Sequence, residues 1–144
     1  MKRIAEAIWN GSGTEGSGTL TTPRSGAFTD LPYSVKLRFE NEDGTKGTNP
    51  EELIGAAHAG CYAMALSVAL EKEGYTADSI ETKATISLDQ KDGGWAITKS
   101  ALQLQAKVPD IAEEKFDEIA KGAKEGCPVS KLLDAEITLE YTLN

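Results

Sequence analysis

Two cysteines, Cys61 and Cys127, and a single histidine, His58, are the side chains here whose chemistry reaches beyond packing and charge. Cys127 stands directly before Pro128, and proline is favoured at the first position of a helix. A cysteine in that capping position faces unpaired backbone N–H groups and the positive end of the helix dipole, which favour the thiolate. Cys61 lies inside a long apolar segment, where burial disfavours the thiolate unless a cation stands close by. His58 precedes Cys61 by three residues, so on a helix the two share a face and can pair as base and nucleophile. No third group that would orient the imidazole is evident, and an ordinary helix histidine is the plainer reading. For both thiols the plainer reading is likewise that of small buried hydrophobes. Two cysteines and one histidine fall short of a closed zinc site at spacings that match no usual ligand pattern, so neither metal nor other cofactor is expected.

Two further motifs are decoys. GSGTEG, with glycines at 11, 13 and 16, fits G-x-G-x-x-G, but a dinucleotide site needs a helix to begin there, and SGTLTTP reads as a turn and a strand. Asn10-Gly11-Ser12 is a formal glycosylation sequon without a secretory context.

The element that must position Cys61 runs from Gly47 to Tyr75, GTNPEELIGAAHAGCYAMALSVALEKEGY. Asn49 as N-cap, Pro50 at the first helical position and Glu52 completing a capping box predict its start. Glu51 and Glu52 suit the positive end of its dipole, and Gly74 suits the residue after its end. Between them the segment is apolar on nearly every side and should be wrapped by other elements or by a partner chain.

Around this helix the alternation predicts strands at Arg3–Trp9, Gly18–Thr22, Tyr33–Glu40 and Ser79–Asp89. In Tyr33–Glu40 it puts Arg38 on the polar face. A polar loop, Asn41–Gly47, leads into the helix. Lys91-Asp92-Gly93-Gly94 signals a hairpin into Trp95–Val108, whose apolar phase shift predicts a bulge near Thr98–Ala101. A one-sided helix over Ile111–Glu125, a short helix over Val129–Asp134 and a strand over Glu136–Leu143 complete the order β-β-β-α-β-β-α-α-β. This is an α+β pattern, antiparallel sheets wrapped around a long central apolar helix, with residues 1–144 read as one domain.

Composition narrows the function. With 40% hydrophobic residues over 144 positions the chain can build a real core. Charges at Glu51, Glu52, Glu71 and Lys72 flank the apolar run, which argues against a membrane span. MKRIAEAIWNGSG lacks the apolar stretch of a secretory signal, so a cytoplasmic setting is expected, where a cysteine pair is more often catalytic than structural. A net charge of −8 without a basic cluster argues against nucleic-acid binding.

YSVKLRFE, GTNPEELIGAAHAGCYAMALS and FDEIAKGAKEGCPVSKLLDAEITLEY together resemble the OsmC/Ohr family, the osmotically inducible and organic-hydroperoxide-resistance proteins, most closely the OsmC branch. The resemblance spans nearly the whole chain, and its two cysteine motifs are specific. It implies a thiol peroxidase that reduces organic hydroperoxides and, less efficiently, hydrogen peroxide, in the response to osmotic and oxidative stress. It further implies an intertwined homodimer with sites at the subunit interface and a dithiol reductant of the lipoyl type. By the same resemblance Cys61 is the peroxidatic cysteine and Cys127 the resolving one. Arg38 lowers the Cys61 pKa and orients the peroxide, and Glu51 holds Arg38. On a straight helix Glu51 lies ten residues, about 15 Å, from Cys61, so either the helix bends near Gly55 or Gly60 or the partner subunit supplies the pair. Two other classes fit a sheet around an apolar helix: a hotdog-like thioester or acyl-binding module, and a non-catalytic stress-response dimer. Neither requires a reactive thiol.

Overall fold

The computed structural model describes residues 1–41 and 46–144, and the middle of the expected polar loop, 42–45, lies outside the described residues. The chain divides into two compact units, Met1–Pro50 and Glu51–Asn144.

In the first unit, β1 (Glu6–Asn10), β2 (Ser17–Thr21) and β3 (Leu31–Tyr33) form an antiparallel sheet in that order. The glycine-rich loop is the β1–β2 turn, closed by the Gly16 N–H donating to the Ser12 carbonyl, and strand β2 follows it as expected of a decoy. Trp9 packs against Tyr33 across this sheet, ring centroids 5.4 Å apart.

The expected strand over Tyr33–Glu40 is a correction. Only its first residue belongs to a strand, β3; Val35–Phe39 is a short helix, α1. Ser34 takes an extended conformation, and its hydroxyl accepts from the Leu37 N–H at 3.0 Å, an N-cap that starts a helix. Apolar residues at every second position fit a strand, but a helix this short satisfies the same pattern once capped. Arg38 therefore sits in the last turn of α1, at the negative end of its dipole, with its guanidinium 5.1 Å from the Phe39 ring centre.

Helix α2 (Pro50–Lys72) begins on the proline as expected and runs unbroken for 23 residues. Gly74, at φ +85°, ends it, and the Tyr75 N–H donates back to the Leu70 carbonyl. By length and composition α2 could cross a bilayer, with a mean hydropathy of 1.6, so the flanking charges exclude less than the sequence suggests. In the fold it buries one stripe, Gly55, His58, Tyr62, Leu66 and Leu70, at helical spacing. Met64 (67% exposed) and Val68 (50%) lie on another face.

The stripe packs in a core with strands β4 (Ser79–Lys91), β5 (Gly94–Lys107) and β6 (Glu136–Leu143) and helix α3 (Glu113–Gly126). A side chain at Gly55 would come 3.3 Å from the Ala84 carbonyl oxygen, so glycine here lets α2 approach β4 closely. The β4–β5 hairpin turns through Asp92 and Gly93, both at positive φ. Thr98 is the extra residue: Ser87 pairs with Lys99 and Leu88 with Ile97, and the Thr98 hydroxyl donates to Asp89. Beyond that bulge, Leu102, Leu104 and Ala106 face the core. One pairing departs from the antiparallel expectation: β6 runs parallel to β5. Helices α3 and α4 (Pro128–Leu132) carry the chain back between them, the long crossover a parallel pair requires.

Candidate active site

Two helix junctions bring the cysteines together. Tyr62, next to Cys61, is wholly buried, and its hydroxyl donates to the Ala120 carbonyl at 3.2 Å, locking α2 against α3. At the end of α3, Gly126 is followed by Cys127 in an extended conformation, and Pro128 opens α4. The resulting corner turns Cys127 inward. Its Sγ lies 3.1 Å from Sγ of Cys61, although the two are 66 residues apart in sequence. Both are free thiols; Cys127 is 0% exposed, whereas Cys61 is only partly buried.

The two sulfurs differ electrically. Burial pushes the Cys61 thiol above its ordinary value; the Val129 N–H opposes this, and the nearby Cys127 sulfur reinforces it. Burial also pushes Cys127 upward, but there the N–H and hydroxyl of Ser130, the Cys61 thiol and the Val129 N–H together outweigh it, so its pKa is lowered. The Cys127 sulfur makes no side-chain capping hydrogen bond of regular geometry, yet as N-cap of α4 it lies within the influence of these N–H groups. The lowered Cys127 pKa agrees with the capping reading of the sequence, and the raised Cys61 pKa agrees with its burial in α2.

His58 does not pair with Cys61, in keeping with its plainer reading as a helix histidine. It is fully buried between two hydroxyls, Nδ1 2.7 Å from Ser100 Oγ and Nε2 2.9 Å from Ser130 Oγ. Burial lowers its pKa, which keeps the imidazole neutral. Sequence reasoning missed both serines; CPVS, three residues from cysteine to serine across a helix start, was the available signal.

Of the four residues expected in the site, the structure brings together Cys61 and Cys127. Glu51 occupies the first turn of α2, ten residues before Cys61 on an unbroken helix, about 15 Å away by the rise per residue. Arg38 belongs to the first unit, in α1. Among the described residues no group of three or more His, Cys, Asp or Glu side chains is placed to hold a metal ion.

Cys61 opens onto a groove of about 600 Å³ between α2 and α3. Met64, Val68, Ile119, Ala123 and Pro128 give it apolar walls, and the Lys115–Glu73 ion pair, 2.9 Å, stands at its far end. A thiol that a small apolar molecule can reach, backed by a second thiol that it cannot, is a pair that can be oxidised to a disulfide.

An α+β fold holding such a thiol pair defines a class that the comparisons make specific. The family model of OsmC-like proteins matches residues 41–142. Peroxiredoxin OsmC of Escherichia coli strain K12 is 53% identical over 143 residues, 99% of this chain and 97% of the relative. Organic hydroperoxide resistance protein OhrB of Bacillus subtilis is 30% identical over 114 residues, 78% of this chain and 82% of the relative. Among solved structures, an OsmC-like protein of unknown function from Vibrio cholerae superimposes with a TM-score of 0.76 at 17% identity, covering 99% of both chains. The chain belongs to the OsmC-like family.

Proposed function

We propose that this protein is a thiol-dependent peroxidase that reduces organic hydroperoxides, and hydrogen peroxide less well, through a Cys61 sulfenic acid and a Cys61–Cys127 disulfide. Family membership supports the coarse statement, a hydroperoxide peroxidase, since the matching relatives bear the names peroxiredoxin and organic hydroperoxide resistance protein. The observation that carries the cysteine chemistry is the 3.1 Å between the sulfurs, from which a small rotation reaches the roughly 2.05 Å of a disulfide.

In the first step the Cys61 thiolate attacks the terminal peroxide oxygen; the O–O bond breaks, and the alkoxide leaves as alcohol after taking a proton. Accessibility supports attack by Cys61, whose side chain opens onto the groove while Cys127 is buried. In the second step the Cys127 sulfur attacks the Cys61 sulfenic acid, forming the S–S bond and releasing water. An external dithiol, of lipoyl type by family resemblance, then reduces the disulfide by exchange. The lowered Cys127 pKa suits a resolving thiolate, whereas Cys61 needs a cation. Arg38 is the cation of this reading, since a guanidinium stays charged even where water is scarce, and Glu51 is the carboxylate that holds it.

The reading treats residues 1–144 as one OsmC-like domain acting in the cytoplasm. It pairs the domain with a second copy. Ala56, Ala57, Gly60, Met64 and Val68 form an exposed small and apolar face of α2, too large a share of this helix to leave in water. Met64 and Val68 also wall the groove, so a partner on this face would enclose the Cys61 side of it. Sedimentation should give a homodimer at micromolar concentration; a stable monomer there contradicts this part of the reading.

Thiol counting tests the whole proposal. One equivalent of an alkyl hydroperoxide should remove both thiols together and rapidly. Thiols that stay unchanged instead select an acyl-binding module or a non-catalytic dimer.

A further inference from the structure

The peroxidase reading gives His58 and Ser130 no task, yet both are held with care. His58 is the only histidine, fully buried, and its two ring nitrogens are each paired with a serine hydroxyl. One of those serines, Ser130, stands one helical turn beyond Cys127; its hydroxyl meets the imidazole at 2.9 Å and is among the groups that lower the Cys127 pKa. The elements are distant in sequence: Ser100 comes from β5, His58 from α2 and Ser130 from α4. A packed core that needed only volume there would use an apolar residue, since each buried polar group costs free energy unless it is paired.

We propose that Ser100, His58 and Ser130 form a hydrogen-bond chain aimed at the Cys127 sulfur, with His58 the positioning residue for the disulfide-forming step. In its neutral form the imidazole accepts the Ser100 O–H at Nδ1 and donates its Nε2–H to Ser130 Oγ. The Ser130 O–H is thereby left to donate to the sulfur of Cys127. Chains of this kind strengthen as each link polarises the next, so a neutral histidine can stabilise a thiolate without a buried positive charge. The other titratable groups facing that sulfur are Cys61 and Tyr62, both on α2. The inference rests on the two-cysteine reading for its place in the reaction. Cys127–SH and Cys61–SOH combine to the disulfide and one water: the S–S bond forms, the S–O bond breaks, and the Cys127 proton leaves with the departing hydroxide. No further oxidant or reductant enters.

The effect on Cys127 can be read without peroxide. In a Cys61→Ser background, ultraviolet titration of the remaining thiolate should move to higher pH on adding Ser130→Ala or His58→Met. Ser130→Thr and His58→Gln, which keep a hydroxyl and a side-chain amide N–H donor, should leave it near the parent value. In the protein with both cysteines, Ser130→Ala and His58→Met should slow decay of the sulfenic acid to disulfide about tenfold or more after tert-butyl hydroperoxide, because a hydrogen bond to a charged group is worth about 1.5–3 kcal/mol. Formation of that sulfenic acid should change by less than about twofold, as the chain does not reach Cys61. An unchanged Cys127 titration in both variants overturns the proposal. Equal slowing of both steps also overturns it, since that is the mark of general loosening. If the parent protein forms no sulfenic acid, the peroxidase reading fails by itself, and the titration still decides whether the chain acts on Cys127.

Discussion

Cys61→Ser should abolish peroxide consumption, whereas Cys127→Ser should consume about one equivalent and stop at a sulfenic acid on Cys61. The two thiols make opposing claims. Cys127 has the lowered pKa, and thiolate character alone would make it the nucleophile. In the proposed mechanism access outweighs this: Cys127 is 0% exposed, and of the two only Cys61 lines the groove. A buried thiolate close behind an exposed thiol is suited to attack the sulfur in front of it. In Cys127→Ser the sulfenic acid has no partner within reach, so a dimedone-type trap should label Cys61, and excess peroxide should carry it on to sulfinic acid. A trap found on Cys127 in Cys61→Ser would reverse the assignment. Mass spectrometry of the trapped peptides separates the two results.

Arg38→Ala should slow peroxide attack by about two to three orders of magnitude, the scale on which removing one preorganised electrostatic group acts. The Cys61 thiol is pushed up by burial, and the proposed mechanism gives Arg38 the task of reversing that. Arg38→Lys should restore only part of the rate, because an ammonium cannot form the planar fork that holds a carboxylate and a peroxide together. The fold should persist in both variants. That expectation rests on the Ser34 cap, which holds α1 without Arg38. The helix-end charge and the contact over Phe39 are each worth no more than about 1 kcal/mol at such a site. Stopped-flow consumption of cumene hydroperoxide, with circular dichroism as the control, measures the effect; unaltered rates in Arg38→Ala remove Arg38 from the mechanism.

The features legible in the sequence were those written in local chemistry. Pro50 and Gly74 bound α2 as their conformational preferences require, Asp92-Gly93 makes the hairpin, and the phase change in β5 is the bulge at Thr98. What local pattern could not carry was tertiary choice. The alternation from Tyr33 to Phe39 fits strand and helix alike, and one hydroxyl, that of Ser34, decides for the helix. An apolar helix does not announce which stripe meets its own sheet, so the burial of Gly55, His58, Tyr62, Leu66 and Leu70 became visible only in the fold. The direction of β6 depends on how two helices return the chain. In the site, the capping position of Cys127 was readable from Pro128, but the approach of Cys61 was an implication of family resemblance. The serines flanking His58 come from β5 and α4, and no spacing in the sequence ties them to it.

In the proposed reaction a peroxide joins Cys61 to Cys127 within one chain. Peptide mapping under non-reducing conditions, after one equivalent of an alkyl hydroperoxide and rapid blocking of free thiols, tests it most directly. The geometry predicts one cross-linked pair of peptides, containing Cys61 and Cys127, that disappears on treatment with a dithiol and migrates as a single chain in denaturing gels. Two blocked, unlinked cysteines, or a cross-link that joins two chains, would contradict it.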